Sequence, residues 1–153
     1  MAQPFSGIRV VDFTQVLAGP YATYQMALLG AEVIKVEHPN GGDQGRGLLT
    51  PTPESAAAGM SALASAVNSG KRSLSLDLKH EASHAIVDRL VERADVLVEN
   101  FKAGAMGKLG FGQERLRELN SRLVYCSISG FGQSGPRSHA AAYDPVIQAA
   151  SGI

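Results

Sequence analysis

The sequence predicts an α/β fold built on a parallel sheet, and three observations predict it. Short strand-like runs recur at Ile8–Phe13, Glu32–Glu37, Ser73–Leu78, Val96–Phe101 and Leu123–Ser129. The intervals between them carry helical patterns. The runs end in polar, Gly or Pro residues, as strands do when they feed loops at one edge of a sheet. Alternation of this kind implies parallel pairing with helices on the faces.

The first unit, Ile8 to Glu37, is strand, helix, strand. Pro20 suits the first helical position, where its missing N–H costs nothing and its φ is already helical. Gln15, Val16, Leu17 and Ala18 then form the loop over the sheet edge, with backbone N–H groups offered to a ligand. From His38 to about Ala57 the chain carries Gly41, Gly42, Gly45, Gly47, Pro51 and Pro53 without periodicity. A stretch of that kind inside a compact domain is usually a functional loop or lid. Ala56–Val67 reads as a helix. Ser73–Leu78 (SLSLDL) alternates polar and apolar residues as a half-buried strand does. His80–Ala94 is the clearest helix, with Ala85, Ile86, Leu90 and Val91 as its apolar stripe. Gln113–Leu119 is a short helix. Leu123–Ser129 (LVYCSIS) is nearly continuous in apolar character, as a strand covered on both faces would be. Asp144–Ala150 begins a further helix, and its abrupt end suggests part of something longer.

Composition bounds the function. The 153 residues are 44% hydrophobic and 18% charged, with 14 basic and 14 acidic side chains. Zero net charge gives no bulk attraction to nucleic acid or an anionic membrane, so an anionic ligand needs local positive groups. No apolar run approaches the roughly 18 residues of a spanning helix, and Met1–Gly7 has no features of a signal peptide. The reading is a cytoplasmic protein. The single cysteine, Cys126, falls in an apolar run and reads as a buried, inert thiol. The histidines show no metal-ligand grouping, and no metal is expected.

Individual motifs say less. Gly130–Gly135 (GFGQSG) is a literal G-x-G-x-x-G after a strand, but Pro136 and Arg137 follow where a nucleotide fingerprint needs a helix to start. A glycine loop is the default reading. Lys71, Arg72 and Lys79 flank a strand. Such residues are usually solvated, but they become clamps if the ligand carries phosphates. Asn100 and Phe101, at the end of another strand, offer an amide and a ring. His38 closes the second strand near the same edge.

Taken together, six ordered blocks resemble the class III CoA-transferases (CaiB/BaiF type, formyl-CoA-transferase-like), a family that also holds the 2-methylacyl-CoA racemases. They are GIRVVDFTQVLAGP, LGAEVIKVE, NSGKRSLSLDLK, DVLVENFKAGAMGKLGF, LVYCSISGFGQSGP and AYDPVIQAASG. A GD pair with an Arg three residues on, at Gly42, Asp43 and Arg46, accompanies them. The resemblance implies a Rossmann-like, CoA-binding part of a larger two-domain enzyme that works as an interlocked homodimer on acyl-CoA and a carboxylic acid. An active-site aspartate attacks the acyl-CoA to give a mixed anhydride and then an aspartyl-CoA thioester.

Carried over by position, the CoA-facing residues are Gln15, Val16, Leu17, Ala18, His38, Lys71, Arg72, Leu76, Lys79, Asn100, Phe101, Lys102 and Lys108, with Leu76–Lys79 and Asn100–Lys102 as CoA-contacting segments. His38 and Lys108 both stand where relatives carry Arg, and Lys108 keeps the charge without the bidentate fork. Leu17 replaces a Gln that holds small polar acyl groups, which argues against formyl or oxalyl substrates. Leu17, Tyr143 and Asp144 fall on the substrate side. The racemases carry a His at the position of Tyr143; a phenol of ordinary pKa near 10 exchanges protons poorly at neutral pH, so transfer is favoured over racemisation. The nucleophilic aspartate falls beyond Ile153, so no catalytic residue is expected in this chain and these residues alone are expected to be inactive. A structural remnant without activity is the expectation from a different class.

Overall fold

The computed structural model describes residues 3–49, 52–58 and 61–153. Its elements follow the chain as β1 (Arg9–Asp12), α1 (Ala18–Leu28), β2 (Glu32–Glu37), a 3₁₀ turn (Gln44–Gly47), α2 (Pro53–Ala57), α3 (Ala62–Asn68), β3 (Arg72–Ser75), α4 (Ser83–Glu92), β4 (Val96–Glu99), α5 (Ala105–Lys108), α6 (Gln113–Leu119), β5 (Val124–Ser127) and α7 (Asp144–Ser151). The five strands lie in the order β3-β2-β1-β4-β5. Every pairing is parallel, with Val11 opposite Ile34 on one side and Leu97 on the other. This is the doubly wound order of a Rossmann-like sheet, whose direction of winding reverses between β1 and β4.

Side chains alternate across the strands, so the sheet has two different faces. On one, Val11, Phe13, Val36 and Leu97 pack with Val87 and Val91 of α4 and Leu116 of α6. Full burial of side chains this size stabilises by about 1.5–3 kcal/mol each, which makes this layer the main core. On the other face Val10, Val33 and Val98 meet Met26 and Ala27 of α1. There the next rungs toward the C-terminal edge are charged: Asp12, Lys35 and Glu37 are all buried.

Several sequence expectations need correction. Helix α1 starts at Ala18, which puts Pro20 third in the helix; the first turn tolerates it there because those N–H groups have no intrahelical acceptor. The helix expected over Ala56–Val67 is divided into α2 and α3; Gly59 and Met60, within that span, lie outside the described residues, as does Pro51. Ser61 caps α3 through Ala64 N–H at 2.9 Å. In α4 the buried line is Ser83, Val87 and Val91, while Ile86 is 41% exposed. Of the expected stripe, Val91 is buried and Leu90 packs on the core, while Ala85 and Ile86 are exposed and Ser83 and Val87 take their place on the i, i+4, i+8 row. Strand β5 is an edge strand here, and Val124 is 59% exposed rather than covered on both faces. Cys126 is accordingly half-buried. The Gly130–Gly135 stretch, by contrast, is the irregular glycine loop expected, with no helix until Asp144.

Among the described residues no helix is long and apolar enough to cross a membrane. No group of three His, Cys, Asp or Glu side chains among them is placed to hold a metal ion.

Candidate functional site

Loops leaving the C-terminal ends of β1, β2, β3 and β4 meet at one edge of the sheet. A groove of about 200 Å³ opens there, lined by Gln15, His38, Leu76, Lys79 and Phe101 together with Val36, Glu37, Asp77, Leu78 and Leu109. Open parallel α/β sheets bind ligands outside the carboxyl ends of their strands, beside the switch point. A larger groove, about 370 Å³, lies at the opposite end of the strands between Arg9, Arg72, Arg89 and Arg93. It is the wrong edge for the loops, so the smaller groove is the candidate site. Its wall combines apolar residues (Leu76, Leu78, Phe101, Leu109) with Lys79 and His38, and with the acids Asp77, 3.7 Å from His38, and Glu37, which is paired with Arg46. Such a surface suits a flat or aliphatic body bearing anionic groups.

Beneath the groove's inner end lies a set of enclosed charges. Asp12 is fully buried and accepts from Thr14 N–H (2.8 Å), the Thr14 hydroxyl (2.5 Å) and the Thr23 hydroxyl (2.6 Å). Lys71 reaches in below α1 and pairs with Asp12 at 2.9 Å, donating also toward Pro20 O, Thr23 Oγ1 and Asn68 Oδ1. Burial pushes the Lys71 pKa down against the pull of Asp12. Lys35 pairs with Asp43 at 2.8 Å and donates to Thr14 O at 2.8 Å. Glu37 takes a two-pronged contact from Arg46, at 2.8 and 2.7 Å, and a 2.8 Å bond from the Ser73 hydroxyl. Burial works to raise the Glu37 pKa, but these donors and the Asp43 N–H overcome it and hold it at about 2. Three acids and three bases thus cancel, five of their side chains almost fully withdrawn from water and Arg46 partly exposed at the rim.

This set shapes the loop after β1. Gln15 is clamped by Asn100 through two bonds of 2.8 Å: Gln15 N–H donates to Asn100 Oδ1, and Asn100 Nδ2 donates to Gln15 O. Val16 has φ of 70°, a conformation that costs a β-branched residue on the order of 1–3 kcal/mol. Its N–H donates to Asp43 Oδ1 at 2.8 Å. Two glycines permit the approach. A Cβ on Gly19 would collide with the Thr14 side chain, and one on Gly45 would lie 3.3 Å from Val16 O.

A family comparison gives this geometry its context. The profile described as CoA-transferase family III matches residues 5–153. The chain belongs to the CoA-transferase family III.

Within that family the chain is 50% identical over 152 residues to succinate–glutarate CoA-transferase of Agrobacterium fabrum, spanning 98% of this chain and 38% of that one. It is 47% identical over 150 residues to acetyl-CoA:oxalate CoA-transferase of Acetobacter aceti, spanning 98% and 37%. Among solved structures it resembles a CaiB/BaiF family protein from Brucella suis, with a TM-score of 0.89 and 41% identity over 100% of this chain and 40% of that one. A hypothetical protein from Mycobacterium tuberculosis is similar, with a TM-score of 0.89, 40% identity, and coverage of 99% and 40%. The chain therefore spans under two fifths of the length of the curated family III relatives named here.

Of the residues expected to face CoA in a family III protein, the structure gathers Gln15, His38, Leu76, Lys79 and Phe101 in the groove. Leu17, 50% exposed, caps α1, and Ala18 is exposed as its first residue. Lys102 and Lys108 are exposed and are not among the groove's lining residues. Tyr143, 67% exposed, and Asp144, which accepts from Gln148, lie at the start of α7 and are likewise not among them.

Four expectations do not fit their placement, the first being Asn100, whose side-chain amide is engaged by the Gln15 backbone and which is not among the groove's lining residues. The N–H groups of Gln15 and Val16 are spent on Asn100 and Asp43, so they are not offered outward. Lys71 is 2% exposed at its side chain and committed to Asp12, so its charge is not presented to a phosphate. Arg72 sits at the opposite edge, bonded to Glu32 at 2.7 Å. Hydrogen bonds from Arg9 and Arg72 hold the Glu32 pKa below its ordinary value.

Asp77 and Leu78, within the expected segment Leu76–Lys79, also line the groove; Asp77 Oδ1 accepts the Lys79 N–H at 2.9 Å and lies 3.7 Å from His38 Nε2. Sequence reasoning missed Leu109, Asp12 and the part played by Asp43. A signal existed for the buried acids: VVD and VIKVE place charges in runs otherwise apolar enough for a sheet interior.

Proposed function

We propose that this chain supplies the CoA-binding edge of a carboxylic-acid CoA-transferase. The observation that carries the reading is the groove at the switch point, which assembles Gln15, His38, Leu76, Lys79 and Phe101 in a family III chain. In this reading the apolar wall takes the nucleotide body of an acyl-CoA and Lys79 and His38 face its phosphates. The exposed, apolar Leu17 stands at the acyl side and disfavours the smallest polar acyl groups. The reaction is exchange of CoA between an acyl-CoA and a carboxylate through an aspartyl mixed anhydride and an aspartyl-CoA thioester. Asp12 and Asp43 are ill suited to the attack, because each is enclosed in an ion pair. The attacking aspartate comes from outside these 153 residues, and the working enzyme is a cytoplasmic homodimer. Tyr143 in place of a histidine favours transfer over racemisation.

Calorimetric titration of CoA into the chain tests the binding half of the proposal. Heat of binding is expected, with K79A and F101A each weakening it by about tenfold, or about 1.4 kcal/mol. Absence of heat from the unaltered chain, or full affinity in both variants, overturns the reading in favour of a structural remnant.

A further inference from the structure

The Gly42-Asp43…Arg46 motif contributes nothing directly to the groove apart from its contacts to Glu37, yet it is tied to the loop that does. We propose that Asp43 is a positioning residue for the ligand loop: its carboxylate holds Val16 in the left-handed conformation that shapes Gln15–Leu17. The inference rests on the CoA-binding reading for its consequence, though not for its geometry.

Asp43 is 2% exposed, and each of its oxygens has a distinct task. Oδ1 accepts Val16 N–H at 2.8 Å and Gly45 N–H at 2.7 Å, joining the loop after β1 to the 3₁₀ turn. Oδ2 pairs at 2.8 Å with Lys35, whose ammonium also fixes Thr14 O at 2.8 Å. One carboxylate therefore secures the backbone on both sides of Gln15, while Asn100 secures Gln15 itself. Val16 is β-branched and disfavours positive φ, so it stays there only while its surroundings impose the conformation. The turn at Val16 leaves Gln15 lining the groove and delivers Leu17, half exposed, to the start of α1. Without the acceptor, Val16 gains most by relaxing to negative φ, and that would carry Gln15 and Leu17 away together. The Asp43 N–H meanwhile donates to Glu37 Oε1 at 3.1 Å, so the same residue ties the loop to the groove's wall.

The test separates this role from mere support of the fold. Removing Asp43 alone leaves Lys35 buried without its counter-ion, so the variants are made in a K35M background. K35M/D43N keeps an oxygen for the Val16 and Gly45 N–H groups; K35M/D43A does not. K35M/D43A/V16G replaces the strained valine with a residue that adopts positive φ freely. Two readouts are taken on each, amide exchange at residue 16 by NMR and CoA affinity by calorimetry. Expected are slow exchange at Val16 in K35M/D43N, fast exchange in K35M/D43A, and CoA binding about tenfold weaker in K35M/D43A than in K35M/D43N. The triple variant should recover at least threefold of that loss. Protection of Val16 that survives in K35M/D43A overturns the proposal, as does a triple variant that binds no better than K35M/D43A. If the unaltered chain gives no heat with CoA, the functional reading fails while the amide exchange still decides the role of Asp43.

Discussion

Replacing Lys71 with Met strands a charge that the fold cannot rehydrate. Asp12 is fully buried, and Lys71, 2% exposed, is its partner at 2.9 Å. In K71M the Asp12 carboxylate keeps three hydrogen bonds, from Thr14 N–H, Thr14 Oγ1 and Thr23 Oγ1, but no counter-ion in contact. Breaking a buried pair on one side costs roughly 3–5 kcal/mol, a large share of the 5–15 kcal/mol that about this size of domain has in total. The burial that lowers the Lys71 pKa shows that the pair itself repays its desolvation only in part. The second half of the prediction follows from this. D12N/K71M, with neither charge present, should recover most of the loss and stand within about 1–2 kcal/mol of the unaltered chain. Urea unfolding at pH 7, followed by circular dichroism, measures both. A loss below about 1 kcal/mol in K71M would refute the buried-pair argument. So would a double variant no more stable than K71M.

Two further outcomes follow from the same layer. The pKa of Glu37 lies at about 2 against an ordinary 4.5. Its stabilisation is therefore complete above pH 4.5 and is lost as pH falls toward 2, up to roughly 3 kcal/mol at 1.36 kcal/mol per unit. E37Q should lower stability at pH 7 by up to that amount and flatten the acid limb over that window; urea unfolding at stepped pH checks it, and an unchanged acid slope counts against the assignment. Gly19→Ala should destabilise despite alanine's better helix propensity, worth about 1 kcal/mol, because its Cβ meets the buried Thr14 side chain. Overpacking at such a site costs about 1–3 kcal/mol, and a thermal midpoint that rises in G19A would show that the loop yields there.

Much of the architecture was legible because it is written locally. All five strands occur where the sequence places short strand-like runs, while their order, with β4 set beside β1, emerges only in the folded sheet. Ends shifted by a residue or more, as at Pro20, since a helix start depends on what the first turn meets. The stripe of α4 held at Leu90 and Val91 but not at Ala85 and Ile86, because Val87 lies over the sheet in their place. At the site, five expected residues meet in one groove. Lys71 was misread as solvent-facing because its partner Asp12 is 59 positions away in the chain. Asn100 was read as an amide free for a ligand, yet it is spent on a backbone 85 positions distant.

By itself, the sequence determined the alternation of strands and helices, the absence of long apolar spans among its runs, and the blocks that mark the family. Those are properties of neighbouring residues, set by periodicity and turn chemistry. Only the tertiary structure decided which N–H groups of the Gln15–Ala18 loop are already spent and which lysine lies beneath the site rather than beside it. It also revealed that Val16 is held at positive φ by Asp43. These turn on contacts between distant segments, where burial makes every unpaired charge or donor costly.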